Sequence, residues 1–411
     1  MSNLTQAPLN GVRVLDLSRI LAGPWAGQAL ADLGAEVIKV ERPGGGDDTR
    51  HWGPPYLRDS EGNETSETAY FMAANRGKKS ITVDITTETG QAIIRKLIAI
   101  SDIVIENYKV DGLKKYGLDY NSLKEEYPAL IYCSITGFGQ TGPYRHRAGY
   151  DFMIQGMGGL MSITGEKDSL PGGGPQKVGV AVTDLFTGLY ATIAVQGALL
   201  ERQRSGKGQH IDLALFDVQA AVLANQASNY LVGGVKPTRL GNAHPNIVPY
   251  QAFATSDSHI ILAVGNDSQF AKFARLAQRD HWLEDSVFST NAMRVKNRDR
   301  VCEAVAEVIK QKSSDFWLTE LEAQGVPCGP INDIDQVFSD PHLLERGMRM
   351  ELDHPLGDKV ELVANPIRYS RTPVDDKRIP PLLGQSTQEV LSSLLGYSET
   401  EIKAMEEAKV T

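Results

Sequence analysis

Cysteine is scarce in this 411-residue chain: Cys133, Cys302 and Cys328 are scattered, with no CxxC pair. That argues against a disulfide framework or a zinc knuckle and suits a reducing compartment, with the three thiols as buried or spectator groups. An excess of positive charge is also missing. The 42 basic and 51 acidic side chains leave a net charge of -9, which speaks against a general nucleic-acid-binding or membrane-surface role, so a polyanionic ligand must find a local basic patch. No long hydrophobic run is present: the longest nearly apolar stretch, Leu185 to Leu200, is interrupted by Thr187, Gly188, Thr192, Gln196 and Gly197. The opening MSNLTQAPLN has no basic segment leading into an apolar one, so a soluble, cytoplasmic protein without a membrane partner is expected. None of the eight histidines has HExxH or another metal spacing, and no GxSxG elbow occurs, which sets aside metallohydrolase and serine hydrolase chemistry and predicts no metal site.

What is present is an ordinary globular composition, 41% hydrophobic, at a length that suggests two or three domains of about 150 residues each. Val12 to Leu17 reads as a buried strand, Gly23-Pro24 as a turn with Pro24 at a first helical position, and Trp25 to Leu33 as a helix stopped by Gly34. Glu36 to Glu41 is a second strand, closing a βαβ unit. Strands at 81–85, 103–106 and 130–135 alternate with helices at 88–100 and 120–126, which predicts a parallel sheet covered by helices. Beyond Gly137 a helix is expected over residues 152–161, then a mobile loop at Leu170 to Pro175. A strand from Val178 to Val182 is expected to run into a long helix at 184–204, followed by a strand at 210–215 and a helix capped by Asp217. The texture changes near Gly233-Gly234. The fold class is therefore α/β: a large Rossmann-like domain (1–225), a smaller α+β domain with its linker (226–330), and a C-terminal segment (331–411) that packs back.

The first strand-to-helix loop, Ala22-Gly23-Pro24-Trp25-Ala26-Gly27, lacks the GxGxxG spacing of a dinucleotide site, even with Glu41 placed where a ribose-binding acid would sit. Basic residues collect where strand ends should cluster: Arg19, Lys39, Arg42, Arg50, Arg76, Lys78, Lys79, Lys109, Lys114 and Lys115. They are either a solvated surface or a place for a phosphorylated nucleotide. Asp184 follows the apolar run 178–182 and opens the long helix, so it is either a simple cap or a carboxylate held ionised by the helix dipole. Asp151 poses the same choice. His244, in Gly241-Asn-Ala-His-Pro-Asn246, is the one histidine placed near a ligand, and by spacing alone it could equally be structural.

The strings Val14-Leu-Asp-Leu-Ser-Arg-Ile-Leu-Ala-Gly-Pro24, Leu33 to Pro43, Gly46-Asp47, Asn75-Arg76, Lys79-Ser80, Asp102-Ile-Val-Ile-Glu-Asn107, Gly149-Tyr150-Asp151, Thr183-Asp184 and Pro327-Cys-Gly-Pro330 resemble class III CoA-transferases in order along nearly the whole chain. The resemblance implies an interlocked homodimer that uses coenzyme A as co-substrate, with no tightly bound cofactor. It places Asp184 on the family's nucleophile, which attacks an acyl-CoA thioester to give an aspartyl anhydride and then an aspartyl-CoA thioester. Asp151 aligns with an acidic residue beside that nucleophile. Arg42 falls at the adenosine phosphate, Arg19 at an adenine-stacking position, and Leu21, Val83, Asn107 and Tyr108 along the CoA channel. Lys115 stands where relatives carry arginine and so lacks the bidentate fork. Leu21 replaces a glutamine of formyl-CoA transferases, and residues 241–251 replace their tetraglycine loop, which points away from oxalate and formate. The version Ile247-Val-Pro-Tyr-Gln-Ala-Phe253 resembles the succinate branch, implying succinyl-CoA as donor and a dicarboxylate such as glutarate as acceptor. Arg19, Arg147 and His244 are the candidate readers of its distal carboxylate. The competing readings are an acid–base racemase acting on α-methylacyl-CoA, in which a histidine stands where this chain has Tyr150, and a non-catalytic CoA-binding protein.

Overall fold

The computed structural model describes residues 7–411, the side chain of Asp358 apart. Six strands, β1 (Arg13–Asp16), β2 (Glu36–Glu41), β3 (Lys79–Thr82), β4 (Ile103–Glu106), β5 (Ile131–Thr136) and β6 (His210–Ala214), form one parallel sheet in the order 3-2-1-4-5-6. This doubly wound order puts its topological switch point between β1 and β4. The central strands are buried on both faces, as their runs of valine and isoleucine require.

Helix α1 (Ala22–Asp32) crosses from β1 to β2, and α2 (Glu88–Ala99) from β3 to β4. Thr87 caps α2 by accepting the Gly90 amide, and Ile93, Ile94, Leu97 and Ile98 form its buried stripe against Ile81, Val104 and Tyr132. The other face is covered by α1 and by α4 (Val182–Ser205), which pack through small residues: Ala22, Ala26, Ala191 and Ala198. A Cβ at Gly188 would stand 2.7 Å from the Ala22 carbonyl oxygen, so glycine sets how closely the two helices approach. Between β5 and α4 lies α3 (Asp151–Met157), and β6 runs straight into α5 (Leu215–Ala221).

Several expectations are corrected. Residues 178–182 form no strand: the sheet ends at β6, no neighbour offers a ladder to the valine alternation, and Val180 is 57% exposed. Helix α1 starts two residues before Pro24, α4 starts at Val182, and α5 starts at Leu215, so Asp217 lies inside a first turn rather than capping. The helix expected over 152–161 is broken at Gly158-Gly159, where Gly159 takes φ +86°.

Two compact units emerge from the contacts: one holds the described residues to 159 with 179–224 and 341–411, the other 160–178 with 225–340. In the first, the C-terminal segment is tied to the sheet by Asp84 N–H to the Val410 carbonyl (2.7 Å) and Ser386 N–H to the Ser80 carbonyl (2.9 Å). The second is α+β. Strands β7 (Tyr250–Ala254), β8 (His259–Ala263) and β9 (Cys328–Pro330) make an antiparallel sheet with β8 central, and helices supply Phe270, Phe273 and Trp317 to its core. Among the described residues no helix is long and apolar enough to cross a membrane.

Candidate active site

A cleft of about 550 Å³ opens at the carboxyl ends of the parallel strands. Each strand delivers chain to it: Arg19 and Leu21 after β1, Arg42 after β2, Val83 after β3, Asn107 and Tyr108 after β4, Gly137 after β5 and Leu215 after β6. Lys115, Arg147 and Asp184 line the same space. Asp151 stands behind Asp184 rather than on the wall, and His244 belongs to the second unit.

Asp184 lies in the first turn of α4 and does not cap it. The cap comes from another helix. Asp151 Oδ1 accepts the amides of Thr183 (2.8 Å) and Asp184 (3.3 Å), while its Oδ2 accepts Gln155 Nε2 at 2.7 Å. A carboxylate from the first turn of α3 thus satisfies amides that the start of α4 leaves without helical partners. Burial, with the nearby negative charge of Asp151 added, pushes the Asp184 carboxyl up from 3.8 to about 7. The helix dipole therefore does not hold it fully ionised at neutral pH, because burial and like charge outweigh it. Tyr70 feels the same pair: burial, then the charges of Asp184 and Asp151, raise its phenol. No spacing in the sequence could have brought Tyr70 to that place.

The loop after β1 is strained. Ile20 has φ +73°, rare for a β-branched residue. Its amide is held 3.2 Å from both Asp47 carboxylate oxygens, and the Asn107 amide group clamps Arg19 on both sides, accepting its N–H (2.9 Å) and donating to its carbonyl (2.7 Å). Asp47 is in turn paired with the fully buried Lys39 at 2.9 Å. Burial works against its charge, yet Lys39 and the Thr49 donors hold its carboxyl at about 2.

Many basic residues at the strand ends are thus internal counter-ions. Lys78 pairs with Asp16 (2.9 Å), Arg76 with Asp32 (2.6 Å) and Arg50 with Glu41 (2.7 Å). Glu41, bonded also to Ser80 at 2.6 Å, has no oxygen to spare for a ribose. Arg42, Lys109 and Lys115 remain on the exposed rim, with the Lys115 ammonium 4.5 Å from the centre of the Tyr116 ring. Arg19 is exposed and pairs with Asp48 at 2.9 Å. On the opposite wall, the backbones of Gly137 and Gly149 approach so closely that a Cβ on either would overlap the other. They pinch the base of a loop whose Arg147 guanidinium lies 4.7 Å from the Tyr144 ring centre and 5.4 Å from that of Phe138. In the second unit, His244 Nδ1 accepts the Asn246 amide at 3.1 Å, and burial, with Arg298 added, lowers its pKa. Cys133 is fully buried, which pushes its thiol up to about 12; it is no nucleophile.

Residues 9–387 match CoA-transferase family III. A succinate–glutarate CoA-transferase of Agrobacterium fabrum is 52% identical over 94% of this chain and 96% of its own length. A succinyl-CoA:glutarate CoA-transferase of Mus musculus is 45% identical over 97% of this chain and 89% of its own. Among solved structures, a CAIB/BAIF family protein from Brucella suis is 53% identical and superposes with a TM-score of 0.82, covering 95% of this chain and 100% of that one.

Proposed function

We propose, from the premise that the chain belongs to CoA-transferase family III, that this CoA-transferase moves CoA from succinyl-CoA to a dicarboxylate such as glutarate, with Asp184 as the nucleophile. The observation that carries the reading is a half-buried carboxylate on the wall of a basic-rimmed cleft at the strand ends. The names of the relatives, which specify succinate and glutarate, support the substrate pair.

In this reading an Asp184 carboxylate oxygen attacks the thioester carbonyl, giving a mixed anhydride and CoA thiolate. The thiolate attacks the aspartyl carbon, releasing succinate and leaving Asp184 as a CoA thioester. The acceptor carboxylate attacks that thioester to form a second anhydride and free the thiolate again. The thiolate then takes the acceptor's acyl carbon and restores the Asp184 carboxylate. Carboxylate and thiolate supply every nucleophile. Coenzyme A enters as co-substrate, Arg42 and Lys115 meet its phosphates, and Arg19, Leu21, Val83, Asn107 and Tyr108 line its path. Arg147, which lines the cleft, is assigned to the distal carboxylate of the acid. Asp151 holds the start of α4 in place.

A homodimer belongs to the same proposal. Phe186, Leu189, Tyr190, Ile193 and Leu200 leave an exposed apolar stripe along α4, which a second copy would cover. The test of the activity is CoA exchange from succinyl-CoA to a panel of glutarate, itaconate, malate and oxalate, with wild type and Asp184→Ala. New acyl-CoA that vanishes in the variant, and an Asp184 hydroxamate trapped by hydroxylamine only after acyl-CoA is added, are expected. Epimerisation of a branched acyl-CoA without exchange would install the acid–base racemase reading instead.

A further inference from the structure

Glu106 ends β4 at the centre of the sheet, is 5% exposed and forms no ion pair among the described residues. Its Oε2 accepts the Tyr108 amide at 2.8 Å. On the neighbouring strand Ser134 is its register partner and hydrogen-bonds to it. Ser134 Oγ also lies 2.9 Å from His210 Nε2, and the His210 ring stacks on Tyr120 at 4.8 Å and meets the edge of Tyr132 at 5.8 Å. The Ser134 hydroxyl can donate to the carboxylate while accepting from the imidazole, so the three groups form one continuous chain of hydrogen bonds.

This chain lies behind the cleft, not in it. Glu106, Ser134, His210 and Asp119 border a second, polar cavity of about 70 Å³. Lys109, Val110 and Gly112 border both spaces, so the turn after Tyr108 is a thin partition between them. Asp111 in that partition takes φ +63°, a conformation that surrounding contacts must hold. The Tyr108 amide is where the buried chain grips it.

We propose that Glu106 is a positioning residue for the acyl-CoA: gripping the Tyr108 amide in front and Ser134–His210 behind, it fixes the 107–112 wall against which the coenzyme is held. The inference rests on the cleft being the acyl-CoA site. Burial, with the Asp119 charge added, pushes Glu106 up to about 7, so its carboxyl is part protonated at neutral pH, and burial lowers His210. Glutamine is therefore the fitting conservative replacement: it keeps an oxygen for the Tyr108 amide and a polar atom for Ser134.

The experiment compares Glu106→Ala, Glu106→Gln and Ser134→Ala with wild type. KM for succinyl-CoA, KM for glutarate, kcat, CoA binding by calorimetry and ligand-free hydrogen exchange of the 107–116 segment are measured. Glu106→Ala should raise KM for the acyl-CoA and the Kd of CoA about tenfold, with kcat and the acid KM within threefold. Amide exchange in 107–116 should speed up, Glu106→Gln should restore both, and Ser134→Ala should fall between. Equal losses for both substrates, no loss, or a glutamine variant as poor as alanine would overturn the positioning role. The ligand-free exchange keeps the two proposals apart: a wild type that binds no CoA defeats the cleft assignment, while unchanged exchange in Glu106→Ala defeats the grip of Glu106.

Discussion

Asp151 accepts the backbone amide of Asp184, so one carboxylate caps the helix start that carries another. The cap supplies order and the proximity supplies negative charge, and the two effects pull Asp184 in opposite directions. Holding it in place narrows its geometry, while burial, with the added charge of Asp151, keeps its proton on to about pH 7.

Asp184→Asn is expected to cut CoA transfer by roughly 10⁴-fold, since an amide cannot form the anhydride. Steady-state exchange measured with succinyl-CoA checks it, and a variant retaining a tenth of the activity would remove Asp184 from the mechanism.

The same substitution should change stability in a pH-dependent way. The folded Asp184 carboxyl titrates at about 7 against an ordinary 3.8. The folded state therefore keeps a proton that the unfolded chain gives up, and stability falls as pH rises through that window. Asp184→Asn should raise Tm at pH 8 and leave it nearly unchanged at pH 4. An equal shift at both values would contradict the raised pKa.

In the proposed mechanism the active form is the carboxylate, so kcat/KM for the acyl-CoA should climb with pH to a plateau above about 7. Asp151→Asn removes a negative neighbour and should move that inflection to lower pH. It should also weaken the cap on α4 by about 1 kcal/mol, which thermal unfolding reads.

Asp47→Asn should be costly, because it deprives the buried Lys39 of its charge partner and loosens the hold on Ile20. A loss of about 3 kcal/mol is expected at pH 7. Asp47 titrates at about 2 rather than 3.8, so its contribution is present above 3.8 and is lost as pH falls through about 2. The gap between variant and wild type should close over that interval in denaturant titrations.

Arg42→Ala should raise KM for the acyl-CoA about tenfold and abolish any preference for CoA over its 3′-dephospho form. If the preference survives, another rim cation reads the adenosine phosphate.

The frame was legible because strand and helix periods alternate cleanly from Val14 to Ser134 and each strand end carries a turn. The strand expected at 178–182 failed because alternation reports a preference for extended chain, not the presence of a partner to pair with. The basic residues misled for a related reason: a lysine at a strand end has the same letter whether it faces a phosphate or, like Lys39 and Lys78, an internal aspartate. Asp184 was identifiable as a helix-start carboxylate, but its cap by Asp151 joins segments whose meeting no local pattern encodes. Tyr70 and the left-handed Ile20 left no signal at all.

The buried pairs beneath the cleft, Lys39–Asp47, Lys78–Asp16 and Arg50–Glu41, cancel one another out of reach of solvent. A phosphate arriving from water meets instead the exposed rim cations of the cleft, Arg42, Lys109, Lys115, Arg145 and Arg147 among them, against the background of a chain carrying -9 overall. Those rim charges act across solvent, where the screening length is about 8 Å at physiological salt. Ionic strength therefore governs how fast the coenzyme is captured, while the internal pairs keep the floor of the cleft in shape whatever the salt.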